Sequence, residues 1–77
     1  MNVPILGESK RRILVELRKD GIHGYELASR LKISVTGIYQ LLKELSDEQL
    51  IESMPSGRRK VYRLTEKGRK LVEVLES

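Results

Sequence analysis

The sequence predicts an α+β fold: a core of three short helices, a two-stranded β-hairpin, then a closing helix. Three observations predict it. Apolar residues recur at helical spacing in three successive segments before residue 48. The period then changes to short extended runs on either side of a stretch holding Pro55, Ser56 and Gly57. Helical spacing returns from Glu66 to the end.

Each element has its own signals. Residues 1–8 read as an arm, broken by Pro4 and Gly7, and residues 9–77 as one domain. A first helix over 9–19 carries the stripe Ile13, Leu14 and Leu17, with Val15 pointing the other way and Gly21 as a stop. Ile22 and His23 form a short extended link. A second helix over 24–31 turns Leu27, Ala28 and Leu31 inward. Residues 32–34 turn the chain, and Ser34 can cap the next helix by accepting a hydrogen bond from a backbone N–H of its first turn. That third helix runs over about 35–48, with Ile38, Leu41, Leu42 and Leu45 on one side. Thr36, Gln40 and Lys43 lie opposite, and Tyr39 lies at the flank.

Residues 50–53 read as a strand, 54–59 as the hairpin turn and 60–64 as the return strand. Tyr62 and Leu64 share one face, with Lys60 and Arg63, and Val61 between them, on or near the other. Tyr25 and Tyr62 read as core or core-edge residues. Thr65 can cap a last helix over 66–76, whose stripe is Gly68, Leu71, Val72 and Leu75 and whose Glu66 suits the helix dipole. Helix, helix, turn, helix, hairpin, helix is a winged helix-turn-helix.

With 77 residues, the chain sits near the lower limit for a single hydrophobic core. It has no Cys, so neither disulfides nor thiolate metal sites can reinforce it, and a second copy of the chain is the expected source of further buried area. No apolar run approaches the roughly 20 residues that span a bilayer. The N-terminus lacks the basic start and apolar stretch of a signal peptide, so a cytoplasmic location is expected.

The net charge is +4, but residues 58–70 alone carry +6, leaving the remainder acidic. A basic surface of this kind attracts polyanions, nucleic acid above all. Val35, Thr36, Gly37 and Gln40 suit the start of a helix in a major groove: they are small or flexible, and Gln can pair with adenine in two hydrogen bonds, while Ser34 suits a phosphate as well as the cap. Tyr39 and Lys43 suit phosphates. Arg58, Arg59 and Lys60 at the hairpin tip, with Arg63 behind them, suit the minor groove or flanking phosphates. Lys10, Arg11 and Arg12 form a second basic cluster, which reads as a solvated first turn at least as well as a DNA contact.

The pattern therefore points to double-stranded DNA. A rival reading is a winged helix used as a protein-interaction module within a larger assembly. Single-strand binding wants exposed aromatic platforms, and the chain has no Trp or Phe. An enzyme is not expected. His23 is the single His and reads as structural; there is no Cys nucleophile, glycine-rich phosphate loop or paired-acid motif, and no metal or cofactor is expected.

Several runs carry a resemblance. They are His23-Gly24-Tyr25-Glu26-Leu27, Ile38-Tyr39 with Leu42 and Leu45, Leu50-Ile51-Glu52, and the long run from Gly57 to Arg69. Together they resemble the PadR-like branch of winged-helix transcriptional regulators over about residues 13–72. The resemblance implies a dimer that binds an operator, usually as a repressor, with Tyr39, Arg58, Arg59 and Lys60 facing DNA; the two-fold symmetry of a homodimer then predicts a palindromic operator. Larger members of that family dimerise through extra C-terminal helices. Here the contacts are expected from Val3, Ile5, Leu6, Val15, Val72, Val74 and Leu75, and no small-molecule effector is expected. The family usually has Gly where Gln49 stands, so Gln49 must adopt a left-handed backbone or end the helix differently.

Overall fold

The apolar stripes of three helices meet on one side of a small sheet. The computed structural model describes residues 7–76. The order is α1 (Gly7–Leu17), β1 (Ile22–His23), α2 (Gly24–Leu31), α3 (Val35–Asp47), β2 (Ile51–Ser56), β3 (Arg59–Leu64) and α4 (Glu66–Glu76). The core joins Ile13, Leu14 and Leu17 of α1, Leu27, Ala28 and Leu31 of α2, and Ile38, Leu42 and Leu45 of α3. Ile22, Leu50, Ile51, Tyr62, Leu64 and Val72 close it. No helix among the described residues is long and apolar enough to cross a membrane.

Several elements differ from expectation. α1 includes Gly7 and Glu8, assigned above to the arm, and ends at Leu17. Gly21 is therefore not its stop; its N–H instead donates to Asp20 Oδ1 at 2.8 Å. Ile22 and His23 are not a link but a strand, paired antiparallel to β3 at Ile22↔Tyr62 and His23↔Val61. The sheet thus has three strands in the order β1-β3-β2, with β3 at its centre.

The hairpin is also longer than the sequence suggests. Its register runs from Ile51↔Leu64 to Ser56↔Arg59, so only Gly57 and Arg58 make the turn. Gly57 has φ +66°, whereas Arg58 is not among the residues with positive φ; this is the pattern of a type II′ hairpin turn. Pro55 lies within β2, and the pairing explains why it is tolerated there. Ser56↔Arg59 flanks a two-residue turn and is a hydrogen-bonded pair, so the next pair, Pro55↔Lys60, is not, and the Pro55 nitrogen faces away from β3.

Capping fixes the helix ends. Ser34 Oγ accepts from Gly37 N at 3.0 Å. Thr65 Oγ1 accepts from Gly68 N at 3.0 Å and donates to the Gln49 carbonyl at 2.7 Å. α2 and α3 both end in Schellman motifs without glycine. Ile33 and Lys32 N–H groups bond back to Ala28 and Ser29, and those of Leu50 and Gln49 to Leu45 and Ser46. The left-handed residues are Lys32 (φ 59°) and Gln49 (φ 63°), so Gln49 takes the first of its two options.

The first-turn basic cluster is spent on packing α1. Lys10 pairs with Glu44 at 3.0 Å and Glu48 at 3.6 Å, Arg11 with Glu8 at 2.9 Å, and Arg12 donates to the Leu31 carbonyl at 3.0 Å. Arg30 joins Glu16 and Glu26, and Arg18 pairs with Glu76 at the end of α4.

Of the residues expected at a dimer contact, Val72 is fully buried in the protomer's own core, which removes its side chain from any outer surface. Val15 and Leu75 are half-buried and Val74 is 70% exposed. Val3, Ile5 and Leu6 lie outside the described residues.

Gly68 is where α4 meets the start of β2. A methyl group there would overlap the Leu50 carbonyl oxygen, which already accepts from Thr65 N at 3.1 Å. Gly68→Ala is expected to cost about 2–3 kcal/mol, on the order of 10–20 °C in thermal melting. Gln49→Gly should act in the opposite direction by about 0.5–1 kcal/mol, because it relieves the left-handed side chain. Circular-dichroism melting of the two variants beside the parent checks both signs.

Candidate nucleic-acid interface

α3 presents its polar face because its apolar face is buried in the core. Ile38, Leu42 and Leu45 are buried, which turns Thr36, Gln40 and Lys43 to solvent. The Ser34 cap fixes the first turn, where Val35 is 42% exposed. Lys43 pairs with Asp47 at 3.3 Å, and Gln40 Nε2 donates to Glu44 at 3.3 Å.

The wing is held against the start of α2. His23 caps α2 with an extended backbone and pairs with Val61 in the sheet. Its Nδ1, when protonated, donates to the Lys60 carbonyl at 3.2 Å. β3 is thereby fixed beside α2 close to the wing tip, and α2 packs on α3.

The result is a groove of about 570 Å³ lined by His23, Gly24, Tyr25, Tyr39, Tyr62 and the wing cations Arg58, Arg59 and Lys60. Among the described residues, none of those three cations has a carboxylate within ion-pair distance. Tyr62 forms the floor. Burial, and then the neighbouring Tyr39, push its phenol above the ordinary value, so it remains a neutral hydroxyl. A second hollow of about 310 Å³ is lined by Tyr25, Ala28, Ser29, Ile33, Ser34 and Val35.

Tyr25 borders both hollows and joins the α3 N-terminus to the wing groove. It is 66% exposed, neither the core nor the core-edge residue expected. A helical wheel carries the missed signal: at about 100° per residue, Tyr25 falls off the Leu27, Ala28 and Leu31 stripe. His23 and Gly24 are likewise absent from the expected site. Gly24 is there for space, since a Cβ would lie 2.8 Å from ring atoms of Tyr39.

The structure brings together Tyr39, Arg58, Arg59 and Lys60, and through Tyr25 it adjoins Ser34 and Val35. It separates Arg63 from them. Strand alternation puts Arg63 on the opposite face from Lys60 and Tyr62. There it pairs with Glu52 at 3.1 Å and lines a different hollow with Thr65, Glu66 and Arg69. No group of three or more candidate metal ligands occurs among the described residues. The groove brings phenol hydroxyls and cations without carboxylate partners to one hollow, which is the equipment for holding phosphate oxygens.

Fold and surface together define a winged-helix transcription regulator. The transcriptional regulator PadR-like family matches residues 13–74. The chain belongs to this family, whose members are regulators and not enzymes.

Among solved structures, a cysteine-to-serine mutant of Lactococcus lactis ZitR superposes with a TM-score of 0.91 at 25% identity, covering 99% of this chain and 54% of that one. MepR, a transcription regulator of the Staphylococcus aureus multidrug efflux pump MepA, gives 0.88 at 28% identity, covering 92% and 56%. S. aureus MepR in complex with DNA gives 0.87 at 27% identity, covering 92% and 62%. The chain thus spans little more than half the length of these regulators. No curated protein matches it.

Gly24→Ala tests the packing of Tyr39. The added methyl should push the ring out of the groove, moving its NMR resonances, while the melting temperature falls less than in Gly68→Ala because Tyr39 can swing to solvent. Unchanged ring resonances would contradict the close approach.

Proposed function

We propose that the protein is a sequence-specific regulator that binds double-stranded DNA as a homodimer, with α3 in the major groove and the wing on the backbone or minor groove. The observation that carries this is the shared groove: Tyr39 of α3 lines it together with Arg58, Arg59 and Lys60 of the wing. A helix fits the major groove, and a neighbouring set of cations then meets the flanking phosphates. The likeness to MepR, which has been solved with DNA, supports the same reading.

The direct base readers are Val35, Thr36, Gly37 and Gln40, at the exposed start of α3. Ser34, Tyr39 and Tyr25 serve phosphates, with Arg58, Arg59 and Lys60 beyond them. Lys43 and Arg63 reach phosphate by exchanging their carboxylate partners for it; both pairs are exposed, and such pairs are weak.

Val15, Val74 and Leu75 on α1 and α4 supply apolar area for the partner protomer, joined by Val3, Ile5 and Leu6. Two-fold symmetry places half-sites of a palindromic operator about 34 Å apart. Occupation of such a site in the cytoplasm represses transcription, without a cofactor or effector.

Selection of bound duplexes from a random pool should return a palindrome. If the dimer neutralises about 8 phosphates, log affinity should fall with log salt at a slope near −7, by fluorescence anisotropy. Arg58→Glu with Arg59→Glu should abolish binding at moderate salt without lowering the melting temperature. A slope near zero, or full binding by the reversed wing, would refute duplex recognition and favour a protein-interaction role.

A further inference from the structure

We propose that Glu44, held in place by Lys10, is a positioning residue that fixes the amide of Gln40 so that α3 accepts adenine and rejects guanine. This rests on the DNA-binding function proposed above and extends it to base choice. The observation is a chain of contacts across two helices. Lys10 Nζ on α1 lies 3.0 Å from Glu44 Oε1, and Glu44 Oε2 accepts from Gln40 Nε2 at 3.3 Å. Lys10 also reaches Glu48, the residue that caps the C-terminal end of α3, at 3.6 Å, so two acids hold its ammonium. The Lys10 side chain is only 16% exposed.

Glu44 is four residues from Gln40, so the two meet on one side of α3. Gln40 lies four residues beyond Thr36, on the same solvent-facing side.

A glutamine amide has two N–H donors on nitrogen and one acceptor oxygen. Glu44 takes one donor, leaving the second N–H and Oε1. Adenine offers its N6 amino group and N7 to the major groove, one donor and one acceptor. Oε1 accepts from N6 while the remaining N–H donates to N7, with no loss of the Glu44 bond.

Guanine offers O6 and N7, both acceptors. To bond O6 the amide must turn its nitrogen to the position Oε1 now holds. That turn breaks the Glu44 bond and aims Oε1 at a carboxylate. Rejection of guanine therefore comes from Glu44, which touches no base.

Lys10 makes the arrangement tolerable beside DNA. A bare carboxylate in the groove would be repelled by phosphates, and the nearby ammonium offsets that repulsion. The same contacts bias protonation: Lys10 first, then Gln40, hold the Glu44 carboxyl below its ordinary value, and Glu44 holds Lys10 above its own. Glu44 is then a carboxylate, and only an acceptor, at neutral pH.

The test is duplex selection on the full chain, reading the adenine-to-guanine ratio at each half-site position, with melting and salt slope measured in parallel. The parent should prefer adenine about tenfold at one position, and Gln40→Ala should erase that preference. Glu44→Gln should reduce the ratio to about twofold, because a second amide can pair with either orientation of Gln40; the salt slope should not change. Lys10→Met should lower the ratio too, and a melting temperature kept within a few degrees would exclude misfolding as the reason. An unchanged ratio in Glu44→Gln, or an adenine preference that survives Gln40→Ala, overturns the proposal while leaving duplex recognition intact. Failure of the parent to select any duplex would instead remove the DNA-binding function, and this inference with it.

Discussion

One helix must be buried on one side and bare on the other, and the protein is arranged around that requirement. The Ile38, Leu42 and Leu45 side of α3 completes the core with residues from α1, α2 and the sheet. Burying it aims Val35, Thr36 and Gln40 outward without any further device. Its ends are settled by backbone geometry: Ser34 holds the first turn and the Schellman turn at Gln49 hands the chain to β2. The direction of the wing then follows from the direction of α3.

The second dependence is the placing of β3 between two strands. β2 alone would leave the hairpin hinged at its base. The two residues of β1 hold β3 from the other side and lead without a loop into α2, so wing and helix-turn-helix share one frame. His23 marks the junction, as strand partner, helix cap and neighbour of the Lys60 carbonyl.

What can be read from the sequence follows the range of the forces involved. α3 and α4 are legible within a residue because their stripes and the Ser34 and Thr65 caps act within a few positions. β1 is not, since two residues hold no periodicity and its partner lies about forty residues away in the sequence. The turn reads too wide because Pro55 signals a break unless its nitrogen faces outward, which only the register reveals. Val72 looks available because a stripe says which residues turn inward, not that α1 and β3 leave no surface beyond them. Charge is the least legible. Residues 58–70 read as one basic surface, yet Arg63 is held by Glu52, Lys67 by the Glu48 carbonyl and Lys70 by Glu66. Arg69 lies with Arg63 in a different hollow, and among the described residues Arg58, Arg59 and Lys60 are the cations that line the groove.

Pro55 has a consequence beyond the turn. β2 is the open margin of the sheet, and a projecting ribbon with a row of outward N–H groups invites another chain to extend it. At Pro55 that row is interrupted, and the exposed Glu52 adds charge to the same strand. The gap in that row leaves an approaching strand fewer backbone partners along the outer margin of the wing.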